Sequence, residues 1–500
     1  MLHFSIKPSI KNYFKMAAKY YSLTAAIFLV GIATLSNQAW ADIQTPSAGL
    51  SYSQKSLSKA GNPAAPAYIV SRQYPNEMTG GYIKVGGGIE YGNFDDLFAK
   101  IDALSLLFNA PGDDGSSEPS DAIPEDPASD SKWENLFAEN PELEDRLNVI
   151  KKRVITTAGI LATIKTEGYA KAEARGEMAF VLTEDLFGGT LLFGTSFKGN
   201  SKAVGIVDEI NFDADIAKEA LRLIPVFTGR DPVQELDLSG GISLFYNPAN
   251  HNGKMVIDNN SLLLIKAAKI SDFTLSYSHN ALHSENGDLY WGVKPKFYRV
   301  SLTNVSTRIG DVTDAEAFFD DIKNASFAYE NGFDIDLGLV WAAKNYQVGA
   351  SISSLIEQTY DFPELDRTLL SSESIAAQLN EHKSYTMERQ LKLDGGISTD
   401  QRHWSLNVEL DVNAVMDPMN DEYQWATLTG AYASSSWWLS SARLGASRNL
   451  AGSELSYLNA GVTVMKFINI DAATTLDTIS LKGKNLKRGV NISVGVQFDY

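Results

Sequence analysis

The sequence predicts an all-β fold, an antiparallel transmembrane β-barrel of about 14 strands with an early helical insertion. Three observations carry this expectation. Residues 1–41 read as an export signal. From Thr166 onward hydrophobicity alternates with period two, over segments longer than the ~5–6 residues usual in soluble strands. The last segment, residues 491–500, alternates strictly and ends on an aromatic residue.

The leader comes first. Lys7, Lys11, Lys15 and Lys19 are the charged residues before Asp42, and an apolar run follows over residues 23–35. That run is shorter than the ~20 apolar residues of a membrane-spanning helix. Small residues at Ala39 and Ala41 occupy the two positions that a signal peptidase reads, so cleavage after Ala41 is expected. Translation starts at Met1 or at Met16. Residues 42–80 have no clear periodicity and form an irregular N-terminal segment or a plug; residues 81–500 form the barrel.

Composition excludes several function classes. Loss of residues 1–41 removes four lysines and no acidic residue, so the formal charge falls from −18 to −22. Such an acidic chain is not built for nucleic acid, whose phosphates need a basic surface. There is no cysteine, hence no disulfide framework, thiolate metal site or cysteine nucleophile. After residue 41 no run of 18 apolar residues occurs, which excludes a helical inner-membrane protein.

The barrel region opens with a glycine-rich strand at 82–91, followed by a helical insertion and acidic linker at 93–165. Asn93 can cap a first helix, in which Phe94, Leu97, Phe98, Ile101, Leu104 and Phe108 recur at helical spacing. Residues 111–130, rich in proline and acidic side chains, read as a solvated linker without the spacing of a calcium loop. Asn140 and Pro141 open a second helix, whose stripe Leu143, Leu147, Ile150, Val154 and Leu161 can pair with the first as a hairpin.

Strands are then expected at 169–182, 189–198, 236–246, 261–270, 272–279, 288–300, 332–342, 345–355, 390–398, 404–412, 423–433, 437–447, 457–467, 471–481 and 489–500, with a short helix near 213–223. In the first of these, Lys171, Glu173, Arg175 and Glu177 share one face and are expected to line the lumen. Short polar turns such as 399–402 and 434–436 contrast with long segments at 301–331 and 356–387, which read as outer loops. Trp341, Tyr346, Trp404, Tyr423, Trp425, Trp437 and Trp438 sit near strand ends, where amphipathic rings suit a membrane boundary. In the last strand Ile492, Val494, Val496, Phe498 and Tyr500 share a face, and its end, with Val496, Phe498 and Tyr500, resembles the C-terminal signal by which barrel-assembly machinery recognises outer-membrane clients. The expected partners are outer-membrane lipid of a Gram-negative bacterium and that machinery.

No constellation carries catalytic chemistry, and no cofactor or metal is implied. His283 and Ser284 are adjacent, so in a strand they would point to opposite sides. There is no HExxH or GxSxG motif. Gly86, Gly87 and Gly88 fit a barrel kink or a close packing point rather than a phosphate cradle.

The block Tyr290-Trp291-Gly292-Val293-Lys294-Pro295-Lys296-Phe297-Tyr298-Arg299-Val300 resembles the central signature of the conjugal transfer TraF-type outer-membrane family. So do residues 331–339, Gly88-Ile89-Glu90-Tyr91-Gly92 with the helix after it, and the Asn62-Pro63-Ala64 element. The resemblance covers most of residues 45–500 and implies a non-enzymatic barrel related in architecture to FadL-like proteins, with an N-terminal plug and a role in conjugation or envelope transport beside other envelope proteins. It is not the thioredoxin-like TraF, whose redox chemistry a cysteine-free chain cannot perform. Two other readings stand beside it: a FadL-like channel for hydrophobic solutes, with an apolar lumen pocket, and a barrel hydrolase, with a Ser–His pair on one face.

Overall fold

The computed structural model describes residues 61–71, 80–93, 97–108, 143–249, 252–312, 325–365, 372–401, 403–481 and 484–498. Ala39, Ala41, Tyr500 and the 111–130 linker lie outside them.

Among the described residues, 14 strands close into one barrel. They are β1 Gly81–Tyr91, β2 Tyr169–Leu186, β3 Gly189–Ile206, β4 Leu262–Ser284, β5 Gly287–Arg308, β6 Ala328–Ala342 and β7 Tyr346–Ser353. β8 Gln390–Ser398, β9 Trp404–Asp411, β10 Trp425–Ala433, β11 Leu439–Asn449, β12 Ser456–Val464, β13 Ile468–Thr475 and β14 Gly489–Phe498 complete it. Every neighbour is antiparallel and consecutive around the barrel, and β14 pairs with β1 from Gly489↔Glu90 to Phe498↔Gly81. The expected strand count holds, with two corrections. Segments 261–270 and 272–279 are one strand, because the gap at Ser271 lies inside continuous pairing, Ser271 with Phe197 and Asp272 with Ser196. Segment 236–246 is not in the barrel. It supplies Gln234–Asp237 and Ile242–Asn247 to a separate sheet with Asn252–Ile257, which buries Leu236, Leu244 and Met255.

Alternation decides which side chains face in. On β6, Leu337 and Leu339 are exposed while Asp334 and Asp336 are buried. On β14, Ile492, Val494 and Val496 are exposed and Ser493 is buried. The inversion of the usual rule, apolar out and polar in, recurs around the wall and is that of an outer-membrane-type barrel. Short turns join strands at one rim; the other rim carries the insertions.

β2 to β5 are the long strands, rising well beyond the ~9–11 residues a membrane crossing needs. Their upper parts bury both faces. Outside, α2 (Leu97–Phe108), α3 (Leu143–Glu167), α4 (Ala214–Leu221) and the three-stranded sheet pack on Ala172, Ala203, Leu263 and Ile265. Inside, α5 (Glu373–Glu381) sets Ile375 and Leu379 against Ile206, Leu262 and Leu264. Two-sided burial is why Leu262-Leu263-Leu264-Ile265 loses its alternation. The expected pairing of the early helices is met through this cluster, where Ile101 and Leu104 pack with Leu147, Ile150 and Val154.

Two further expectations change. The 301–331 segment is not all loop, since β5 runs to Arg308 and β6 starts at Ala328. Tyr423 and Trp425 are not at the outer boundary. Trp425 has the parity of inward Thr427 and Thr429, and it meets the Tyr457 ring edge-on at 5.8 Å. Trp404, Trp437 and Trp438 are exposed at the short-turn rim.

Candidate functional site: a lumen closed from both ends

The N-terminal segment enters the lumen. α1, Ala65–Val70, is a short helix with Pro66 in its first turn, preceded by Asn62-Pro63-Ala64. The Asn62 Nδ2 donates to the carbonyls of Leu339 and Ala350, at 3.0 and 3.2 Å, and reaches the Asp394 Oδ1 at 3.4 Å. Its Oδ1 accepts the Ala64 N–H at 3.0 Å. Further on, the Ala67 N–H donates to the Ser278 hydroxyl at 2.8 Å, and the Ser71 and Tyr290 hydroxyls bond at 2.8 Å. Ala64, Ala65, Tyr68 and Ile69 are buried against Tyr290, Val340 and Ala342.

Two wall glycines make this seat. A Cβ on Gly292 would lie 2.1 Å from the Pro63 carbonyl oxygen, and one on Gly338 would lie 2.1 Å from the Asn62 Oδ1. The two are cross-strand partners on β5 and β6. Three pieces that carry the family resemblance in sequence, Asn62-Pro63-Ala64, the Gly292 block and the Gly338 block, therefore meet at one contact.

The opposite end is closed by residues 412–424, between β9 and β10, which cross the bore as a strap. The strap is a tight turn. The Asp417 Oδ1 accepts the N–H groups of Met419 and Asp421, at 2.8 and 3.0 Å, and Asn420 adopts φ 63°, a left-handed value that asparagine tolerates. Its side chains land on β2, β3 and β4, on the far wall. The Lys171 ammonium donates to Asp417 at 2.5 Å and lies 3.1 Å from Asp421. Lys202 donates to Asp421, and the fully buried Lys266 donates to the Asn420 side-chain carbonyl. Lys266 also lies 4.1 Å above the Phe362 ring. The Asn420 amide returns a bond to the Glu381 carbonyl at the end of α5. Burial disfavours the Asp421 charge, but the Lys171 and Lys202 ammonium groups outweigh it and hold that carboxyl well below the usual range. Nearby, burial first, then Lys266 and Lys202, pushes His382 down to about 4.

Between plug and strap lies a cavity of about 370 Å³, walled by Lys84, Arg175, Lys296, Lys392, Asp394 and Glu409 among others. Ion pairs stitch its wall. Lys296 lies 3.2 Å from Asp334 and 2.6 Å from Asp336, which also meets Lys294 at 3.0 Å. Lys392 meets Asp411 at 3.3 Å. On the other side of the barrel, buried Arg443 binds Asp471 at 2.7 Å.

The residues singled out from sequence fall as follows. Lys171 joins the strap, with Glu173 3.8 Å away. Glu177 lies 3.8 Å from Lys84, and both line the cavity with Arg175. Val496 faces outward. Phe498 ends β14. The Ser284 hydroxyl donates to the Gly287 carbonyl while His283 turns to Asp288, so the two form no nucleophile–base pair. Among the described residues no group of His, Asp or Glu side chains is arranged to hold a metal. Sequence reading missed Lys202, Lys266, Asp417 and Asp421. The lysines become neighbours only through strand register, and 417–421 reads as an ordinary polar turn.

A family model described as "F plasmid transfer operon, TraF, protein" matches residues 59–411. The chain belongs to this family. The TraF match takes in the plug, its glycine seat and the lysine-bearing strands, and ends with β9. No curated protein matches the chain. Among solved structures, the toluene transporter TbuX of Ralstonia pickettii is 10% identical with a TM-score of 0.38, over 88% of this chain and 92% of its own. A Pseudomonas aeruginosa FadL homologue is 11% identical with a TM-score of 0.35, over 92% and 98%. A TodX deltaS2S3 mutant monoaromatic hydrocarbon channel is 9% identical with a TM-score of 0.37, over 88% and 94%. Likeness this low carries no residue or solute over to the TraF-family lumen.

Proposed function

We propose that this TraF-family chain is a non-enzymatic barrel of the Gram-negative outer membrane, a gated passage for small polar solutes. The cleaved leader expected before Asp42 and the outward apolar band support that location. In this reading the short-turn rim faces the periplasm and the strap faces outward. One observation carries the passage: a cavity of about 370 Å³ lined by charged groups, with the plug residues Asn62 and Pro63 at one end and the strap residues Val415, Met416 and Tyr423 at the other. Its lysine, arginine and carboxylate walls would penalise an apolar solute, which gains nothing from displacing water there. That weighs against a hydrophobic-solute channel.

Planar-bilayer recording of the purified protein tests the gate. The intact chain should conduct rarely. Deleting residues 61–71 and replacing Asp417 and Asp421 by Asn should give steady ionic conductance. A folded barrel that stays silent after both changes would refute the gate.

The family match favours a second reading, a part in plasmid transfer. Unchanged transfer frequency from a strain lacking the gene would exclude it.

A further inference from the structure

The strap sits on an unusual piece of wall. Lys171, Lys202 and Lys266 are direct cross-strand partners on β2, β3 and β4, so three ammonium groups stand side by side at one level of the bore. Like charges placed opposite one another destabilise a sheet. Each lysine is largely or wholly buried, where an uncompensated charge is costly. Anions set against such a row stabilise it. In this state the strap provides them, with Asp417 on Lys171 and Asp421 bridging Lys171 and Lys202. Lys266 receives a neutral amide oxygen from Asn420. Were the strap to lift, Lys171 would keep Glu173, 3.8 Å away, and the field of the Glu90 carboxylate, while Lys202 and Lys266 would lose the partners the strap gives them. This occurs in a chain of net charge −18, whose average surface repels anions.

We propose that the Lys171–Lys202–Lys266 row is a binding site for a small polycarboxylate solute, and that the strap carboxylates occupy it as an internal substitute for that ligand. An aspartate pair already seated on the row at hydrogen-bonding distance shows which chemistry fits it. An incoming di- or tricarboxylate makes the same ammonium contacts and displaces the strap, so ligand binding and opening of the outer mouth are one event. A monocarboxylate neutralises one lysine and leaves the row charged. This deepens the reading of the barrel as a gated polar passage and rests on it.

Calorimetric titration of the detergent-solubilised full-length barrel with citrate tests the site without any measure of transport. The isosteric variant Asp417→Asn with Asp421→Asn removes the internal competitor and leaves the lysines in place. If the strap occupies the row nine-tenths of the time or more, citrate affinity rises at least tenfold in this variant. Adding Lys202→Gln should take that gain away, while acetate at equal ionic strength binds neither form measurably. Heat-modifiable gel migration establishes that each variant is a folded barrel. Citrate affinity unchanged by the double substitution, insensitive to Lys202→Gln, or matched by acetate would each overturn the proposal. Those results would leave the gate reading intact, whereas tight citrate binding by barrels that never conduct would refute the gate and keep the site.

Discussion

Replacing Gly292 and Gly338 by alanine tests the plug without touching its sequence. Neither glycine has a positive φ, so alanine suits both backbones. The added methyls would lie 2.1 Å from the Pro63 carbonyl oxygen and from the Asn62 Oδ1, and backbone atoms of Pro63 and Ala64 line the same space. Overpacking of this kind costs ~1–3 kcal/mol per site, hence roughly 2–6 kcal/mol for the pair. Against it stand the wall bonds of Asn62, Ala67 and Ser71. At ~1 kcal/mol net apiece these contribute about 4 kcal/mol. The two effects are comparable, and the smallest cost alone shifts the seated-to-released ratio roughly thirtyfold. Because the chain has no cysteine, Ala67→Cys gives a single thiol at a buried point of the plug. Its maleimide labelling should accelerate by at least that factor when the alanines are added. A folded barrel that labels no faster would show that the plug does not depend on the glycine seat.

Three other outcomes follow from the same contacts. Arg443→Met leaves the Asp471 carboxylate buried without its ion pair and should cost about 3–5 kcal/mol in urea unfolding, with part recovered by adding Asp471→Asn. Val494→Arg puts a charge on the outward face near the middle of β14 and should cost ~2–4 kcal/mol in lipid vesicles. His382, held down to about 4 and facing Lys266, Lys202 and Asp421, stays neutral when folded while its unfolded form takes a proton below about 6.5. Stability should therefore fall by roughly 2–3 kcal/mol as pH drops from 6.5 towards 4, and His382→Gln should flatten that slope. An unchanged slope in urea midpoints would exclude His382 as its source.

The barrel wall was legible because one chemical pattern repeats along it. Leu337 and Leu339 against Asp334 and Asp336 announce which face is wet, and a period-two pattern needs no tertiary information. It failed where burial changed sides. Above the short-strand wall, Leu262 to Ile265 pack on both faces, and the gap expected at Ser271 lies inside one continuous strand. The lumen was half legible. Lys171, Glu173, Arg175 and Glu177 declare themselves by spacing on one strand. Lys202 and Lys266 lie on other strands, and their partners Asp417 and Asp421 come from the opposite side of the ring. Only the register of two strand pairs and the path of a loop bring them together, and neither is written in any local window. The family signatures were visible as strings, but their common purpose, a groove in the wall that admits Pro63, depends on a cross-strand pair of glycines.

The seam between β1 and β14 also sets the order in which this molecule can be made. It joins Gly81 to Phe498 and Glu90 to Gly489, positions near opposite ends of the chain. Closing so long a loop is entropically the slowest kind of contact. The plug rests on β5 and β6, which are complete long before the seam can zip, so residues 61–71 have time to settle into an open trough. Until the last strand arrives, the free edges of β1 and of the growing sheet can pair with any stray strand. Ring closure thus does two jobs in one stroke. It locks the occupant inside, and it removes the adhesive margins that would make a half-built sheet aggregate.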